Sequence, residues 1–440
     1  MAELIPLKGV RYNTAKAGNL QDLVTPPYDV IDAAAQNMYY ERNPYNVIRL
    51  ELGKTSPADT DTDNRYTRSA ANFREWLGQG ILAHDEQPSL YLYEQEFEAR
   101  GQKITRTGFL TGLKAEDYSK GWVLPHEETL PKHKADRLLL LKSALANFSP
   151  IFGLYSDPEL SIDTLLAKAK AQPTPDVELT DDSGVINRLW VISDQAVVAQ
   201  VVKLMAEKKI YIADGHHRYE TAVNFGREMA EQGKPGYDIV LIALVNLYDK
   251  GLVVFPTHRL VNNIPNLNIP GLLENLSTDF TVETLPAGTT LDTFLTKLED
   301  AGKPAPSGAQ NHAFGIYTQE KRFYVLTLKD EAALDQLELE NRSAAWRRLD
   351  VSILHTLILE QHLGIGSRQR AEESNLTYTR DEDFAIEAVD NGSNQLCFFM
   401  NPTLVEEVTN IAQGGEKMPQ KSTYFYPKIV TGIVINDFTR

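Results

Sequence analysis

Apolar and polar positions alternate along Leu90-Tyr-Leu-Tyr-Glu-Gln-Glu-Phe97 and again along 105–113, with Arg100-Gly101 between them. A period of two on both sides of a turn signal predicts a hairpin. Over 62–79 the spacing lengthens to that of an amphipathic helix. Two short apolar runs, Leu189-Trp-Val-Ile192 and Ile210-Tyr-Ile-Ala213, predict strands, and Asp194 between them is placed to cap a helix running to about Lys208. After the second run, 214–218 turn directly into a helix that offers Tyr219, Ala222, Val223 and Phe225 as its inner face. The runs 239–246 and 252–255 flank Asp249-Lys250-Gly251, a turn signal, and predict another hairpin. Beyond a stretch rich in Pro, Asn and Gly at 264–312, the pattern predicts strands within 313–328 and a helix over 350–363. A strand at 395–400, a helix near 402–412, a loop at 414–423 and a terminal strand complete it. Strands and helices mixed in this way predict an α+β (mixed α/β) fold. The expected division is a core over 1–262 and a C-terminal α+β lobe over 263–440, with a closing loop at 414–428.

Composition narrows the chemistry. The chain has 440 residues, 42% of them hydrophobic and 24% charged, enough for more than one core. Forty-four basic against 60 acidic residues give a net charge of −16. That disfavours nonspecific binding to nucleic acid or anionic lipid, so neither is expected as a partner. The single cysteine, Cys397, lies in the apolar run Gln395-Leu-Cys-Phe-Phe-Met400, which reads as a small core residue on a strand rather than a nucleophile. The N-terminus lacks a signal-peptide pattern and no run approaches roughly 18 apolar residues, so a cytoplasmic protein without a membrane span is expected.

The candidate chemistry sits at Asp214-Gly215-His216-His217-Arg218. A helix that starts straight after a strand exposes its first N–H groups and the positive end of its dipole. Gly215 lets the backbone approach a ligand, Arg218 can clasp an oxyanion with two parallel hydrogen bonds, and His216 and His217 can donate or shuttle protons. Asp214 can cap the helix, orient a histidine or help bind a metal. A lone histidine at a helix start is ordinarily structural. Five such residues in a row after an apolar strand form a small anion pocket of the kind that holds phosphate.

Asp214-Gly-His-His-Arg-Tyr-Glu-Thr-Ala222 resembles the signature of the bacterial and archaeal family "domain of unknown function 1015". The resemblance runs the length of the chain. It includes Pro26-Pro-Tyr-Asp29, Asn43-Pro-Tyr-Asn-Val-Ile-Arg49, Asp136-Arg137-Leu138, Ser149-Pro-Ile-Phe-Gly-Leu-Tyr155, Pro256-Thr-His-Arg259 and Met418-Pro-Gln-Lys-Ser-Thr-Tyr-Phe-Tyr-Pro427. More distantly, the turn is similar to the phosphate-binding motif of the ParB/sulfiredoxin-like fold, which includes free-serine kinases. That resemblance implies a ParB/sulfiredoxin-like core with long insertions, and places Gly215, His216, His217 and Arg218 on a nucleotide phosphate. The long insertions and the C-terminal lobe depart from that pattern, so the substrate is not inherited.

Further residues complete the expected site. His258 and Arg259 stand at a strand end, and Lys421, Ser422 and Thr423 follow paired glycines as a second anion contact or closing loop. The latter is no Walker A loop, because Gln420 stands where a glycine must precede the lysine. His126-Glu127-Glu128 and His133 lack the spacing of a helical zinc motif, and no metal ligand is expected. Pro26-Pro27 hold the backbone extended and direct Asp29. The expected function is a phosphotransferase, a kinase of a small hydroxylated metabolite such as serine. ATP or ADP with Mg2+ would be the donor, and Asp29, Glu127 or His217 the proton acceptor. The alternatives are a nucleotide sensor without transfer, or a phosphatase or phosphodiesterase.

Overall fold

The computed structural model describes residues 1–99, 101–127, 131–304, 310–335 and 342–439. Arg100 and Glu128, read above in a turn and in a rejected metal motif, lie outside them. Two compact units divide the chain, one of Met1–Val253 with Phe425–Arg440 and the other of Val254–Tyr424. The segment after 424 therefore belongs with the first unit, whereas the pattern of elements had grouped it with the C-terminal lobe.

After several short elements, including the helix Ala33–Arg42, the first unit forms α1 (Arg65–Gln79), started by Asn64, whose side chain accepts from the Tyr66 and Thr67 N–H groups in a capping box. The hairpin of β1 (Leu90–Ala99) and β2 (Gln102–Lys114) follows, in register with Tyr91 opposite Leu110 and Phe97 opposite Ile104. Then come β3 (Val123–Leu124), α2 (Pro131–Ala144), β4 (Ile151–Tyr155), β5 (Val177–Thr180) and β6 (Ile186–Ile192). Next are α3 (Gln195–Met205), β7 (Ile210–Asp214), α4 (His216–Glu231) and β8 (Ile239–Asn246). Asp194 caps α3 as its position predicted. The strands form one sheet in the order β3-β7-β4-β8-β2-β1-β6-β5, with Leu4–Ile5 added against β2.

The second predicted hairpin does not form within this sheet. Both edges of β8 are taken, one by β4 in parallel and one by β2 antiparallel, so 252–255 has no edge to join. The turn signal survives as a local device, because Asp249 accepts from the Gly251 N–H at 2.8 Å and from the Thr107 N–H at 3.3 Å. A strand paired on both edges and buried on both faces reads as a continuous apolar run, which explains Ile239-Val-Leu-Ile-Ala-Leu-Val. Its alternate residues Val240, Ile242 and Leu244 join Ile210, Ile212, Tyr219 and Ala222 in one core.

The second unit is built on an antiparallel sheet. In chain order its strands are β9 (His258–Val261), β10 (Phe280–Thr284), β11 (Ala313–Thr318), β12 (Arg322–Leu328), β13 (Leu376–Thr379) and β14 (Leu396–Met400). They pair in the order β10-β12-β11-β14-β9-β13. Cys397 lies on β14 and is fully buried, and burial pushes its thiol well up, away from reactive thiolate. The predicted helix over 350–363 forms with a π-helical stretch, Leu354–Glu360, in its middle. Among the described residues no helix is long and apolar enough to cross a membrane. The fold is mixed α/β.

Candidate phosphate-binding site

β7 runs through the core of the first unit with Ile210 to Ala213 buried, and it delivers Asp214 to the sheet's end half-buried. Gly215 then takes φ +88°, the left-handed region, and α4 begins at His216. A Cβ on Gly215 would lie 2.8 Å from Ile151 Cγ2 and 3.0 Å from Arg218 Nη2, so conformation and space both require glycine here. α4 buries Tyr219, Ala222, Phe225 and Met229, the last two packing with Leu141 of α2. That packing fixes where the helix starts.

Among the described residues no side chain caps α4. Asp214, a candidate cap, instead receives two cations: Lys428 Nζ donates to Oδ1 at 2.9 Å and Arg218 Nη2 to Oδ2 at 3.2 Å. Burial opposes ionisation of this carboxyl, but Lys428 and Arg218 outweigh it and hold its pKa at about 2. Two cations thus converge on one carboxylate at the start of α4.

Arg218 is already braced. Its Nη1 donates to the Pro150 carbonyl at 2.7 Å, its Nε has no hydrogen-bond partner among the described residues, and its side chain is 9% exposed. His216 is buried as well. Its Nε2 accepts from the His126 N–H at 3.3 Å, which puts the proton of the neutral ring on Nδ1. The two rings lie 4.7 Å apart, and His126 Nδ1 is bonded to the Ile212 carbonyl. Burial drives the His126 pKa down to about 4. This histidine pair ties the segment after β3 to the turn. Glu127 Oε2 lies 4.0 Å from His126 Nε2, and His217 is half-buried on the first turn of α4.

Tyr28 brings the Pro26-Pro-Tyr-Asp29 segment to the same place. Its ring is buried, with the Arg137 guanidinium 4.0 Å and the Arg218 guanidinium 6.0 Å from its centroid. Burial, and then the charge of Asp29, push the Tyr28 phenol up to about 12. Asp29 itself is exposed in the short turn Tyr28–Val30.

The remaining predicted residues belong to the second unit. His258 and Arg259 are both 1% exposed on β9. His258 Nδ1 accepts from the Met400 N–H at 3.2 Å and its Nε2 lies 3.5 Å from Glu382. Arg259 donates to the Thr257 and Lys421 carbonyls, the latter at 3.0 Å, so these two motifs meet. Lys421 takes φ +59°, with its Nζ 5.8 Å from the Tyr378 ring centroid. The buried Ser422 hydroxyl donates to the Pro419 carbonyl, and Thr423 is half-buried beside it.

Sequence reading directs Tyr28 and Asp29 through the paired prolines but does not show the Tyr28 ring against Arg137 and Arg218, the pairing of Lys428 with Asp214, or the structural use of His126. Lys428 is the last residue of the expected closing loop, and nothing in its spacing marks it as the partner of a residue 214 positions earlier. Among the described residues no group of three or more His, Cys, Asp or Glu is placed to hold a metal ion.

The family model described as "Protein of unknown function (DUF1015)" matches residues 4–352. No curated protein matches the sequence. Among solved structures, one similar chain is a free serine kinase in complex with AMP, at 14% identity and a TM-score of 0.33, covering 69% of this chain and 84% of that one. Another is a conserved hypothetical protein from Pyrococcus furiosus, at 14% identity and a TM-score of 0.32, covering 70% and 89%. A third is SbnI with a C-terminal truncation from Staphylococcus aureus, at 9% identity and a TM-score of 0.32, covering 71% and 82%. Likenesses at this level carry no inference about chemistry.

Proposed function

We propose, from the premise that this chain belongs to the DUF1015 family of proteins of unknown function, that its 214–218 turn binds the phosphates of a nucleotide and that the protein is a phosphotransferase. The observation that carries this reading is the uncapped start of α4 with Arg218 and Lys428 both gathered on Asp214. A helix start of this kind attracts anions through its N–H groups and dipole. An arriving phosphate competes with the Asp214 carboxylate for Lys428 and the Nη2 edge of Arg218.

The donor in this reading is ATP or ADP, with Mg2+ carried in by the nucleotide. The acceptor is a small hydroxylated metabolite, serine-like. Its hydroxyl oxygen attacks the terminal phosphorus, the bond from that phosphorus to the bridging oxygen breaks, and the hydroxyl proton passes to a base. Asp29 is the first candidate base, because Tyr28 seats its segment against Arg218 while leaving its carboxylate in solvent. Glu127 and His217 are the alternatives. His258, Arg259, Lys421, Ser422 and Thr423 are proposed as an anion-binding group of the second unit in its own right.

Thermal-shift measurements with nucleotides and hydroxylated amino acids, singly and together, test this. Stabilisation by ADP or ATP that grows when the acceptor is added supports transfer. Stabilisation by nucleotide alone supports a sensor, and no response to any nucleotide overturns the phosphate reading.

A further inference from the structure

Arg218 also lines a small cavity, ≈ 40 Å³, together with Glu51, Arg137, Ser149 and Thr221. Two polar atoms on its wall have no hydrogen-bond partner among the described residues, Arg218 Nε and Thr221 Oγ1. Thr221 is 3% exposed. A buried polar atom left without a partner loses the hydrogen bond water gave it, so these positions call for a polar occupant. The cavity, walled also by apolar side chains such as Leu140, Leu141 and Phe148, exceeds the roughly 10–15 Å³ that one water needs. The Glu51 carboxylate on the same wall is a third partner.

Glu51 is tied to the arginines in a second way. Its Oε1 accepts from Arg137 Nη1 at 3.0 Å and from Ser149 Oγ at 2.9 Å. Arg137 also bonds Asp136, and it shares the Tyr28 ring with Arg218. Two guanidinium groups near one buried ring repel each other unless carboxylates neutralise them. Glu51 and Asp136 do so for Arg137, and Asp214 does so for Arg218.

We propose that Glu51 and Thr221 are positioning residues of the phosphate turn. They hold Arg218 through the neutralised Arg137–Tyr28 stack and through water shared by Thr221 Oγ1, Arg218 Nε and the Glu51 carboxylate. The assignment rests on the phosphate-binding reading of the turn. Neither residue belongs to the turn itself, and Glu51 precedes it by more than half of the first unit.

The test titrates ADP and inorganic phosphate into the full chain and into Thr221→Val, Thr221→Ser and Glu51→Gln variants, with crystal structures of the wild type and Thr221→Val. Valine keeps the shape and the β-branch but removes the hydroxyl. Thr221→Val and Glu51→Gln are expected to bind ADP about two- to ten-fold more weakly, the net loss of one ordinary hydrogen bond in a group that positions Arg218. Thr221→Ser is expected to restore binding, which a purely volumetric role would not. Water density between Arg218 Nε and Thr221 Oγ1 is expected in the wild type, with Arg218 displaced from the Pro150 carbonyl in the valine variant. Wild-type binding by Thr221→Val, or an unhydrated cavity with Arg218 unmoved, overturns the proposal. If Glu51→Gln does not fold, the Thr221 pair decides. If the wild type binds neither ADP nor phosphate, the phosphate reading fails, and the water density and Arg218 geometry still decide the positioning.

Discussion

Arg218 carries two duties that the sequence does not separate. Its spacing after Gly215 suggests an anion clasp, whereas in the structure its Nη1 braces the Pro150 carbonyl and its Nη2 the Asp214 carboxylate. Arg218→Ala is therefore expected to weaken nucleotide binding by about 1.5–3 kcal/mol and also to lower stability by about 1–3 kcal/mol, since a carbonyl and a carboxylate lose their donor. Calorimetric titration and urea unfolding of the same variant measure the two separately. Unchanged binding with lowered stability would leave Arg218 as a brace only. His126 supplies a pH dependence. Its folded pKa of about 4 lies below the ordinary histidine value of 6.5, because burial disfavours the imidazolium. Its contribution is thus fully present above pH 6.5 and is lost as pH falls toward 4, to a total of about 3 kcal/mol. Unfolding midpoints measured from pH 7.5 to 4.5 are expected to fall less steeply in His126→Asn than in the wild type. Parallel slopes would contradict the assignment. The glycine and the charges of the turn were legible because each is a local requirement. The pairing of Asp214 with Lys428, and of His216 with His126, was not, because such contacts are set by tertiary packing.

At the scale of elements, what the chain states locally is what the structure keeps. The α1 start, the Asp194 cap, the hairpin at 90–114 and the strand-to-helix turn at 214 all follow from caps and periodicity within a few residues. The hairpin predicted around 249–251 fails because strand pairing is a competition among all edges of a sheet, and β2 and β4 already occupy both sides of β8. An apolar run with a turn signal announces a strand and a reversal, not the neighbour. The π-helical stretch at Leu354–Glu360 was likewise invisible, since the apolar pattern of 350–363 fits an ordinary helix. The Asn64 capping box offers a clean measure of local encoding. Asn64→Ala removes the acceptor of two N–H groups and is expected to cost about 1 kcal/mol, read as a shift in urea midpoint with an unchanged slope. A cost near zero would mean that packing of Phe73 and Trp76 alone sets the helix start.

In the whole molecule, the second unit interrupts the first, which resumes at Phe425. The returning segment is structural as well as chemical. Phe425 packs against His126 and Phe152, and the Tyr426 and Pro427 carbonyls accept from the buried Arg106. Removing residues after 424 is therefore expected to leave Val254–Tyr424 cooperatively folded while the first unit loses its near-ultraviolet signature and its protection from proteolysis. A truncated chain whose first unit stays fully protected would show that the return is dispensable. No sequence pattern announces such a return, because the terminal residues resemble any other short strand.

The separation between Asp214 and Lys428 also sets a schedule. On a ribosome adding about 5–20 residues per second, Lys428 is joined to the chain roughly 10–40 s after Asp214. Throughout that interval the carboxylate has only Arg218 to balance it, and β7 and α4 lack the segment that packs beside His126. The second cation on Asp214 thus arrives only once synthesis has passed the interrupting unit. An unfinished chain therefore holds a turn whose carboxylate lacks one of its two cations until the first unit can close.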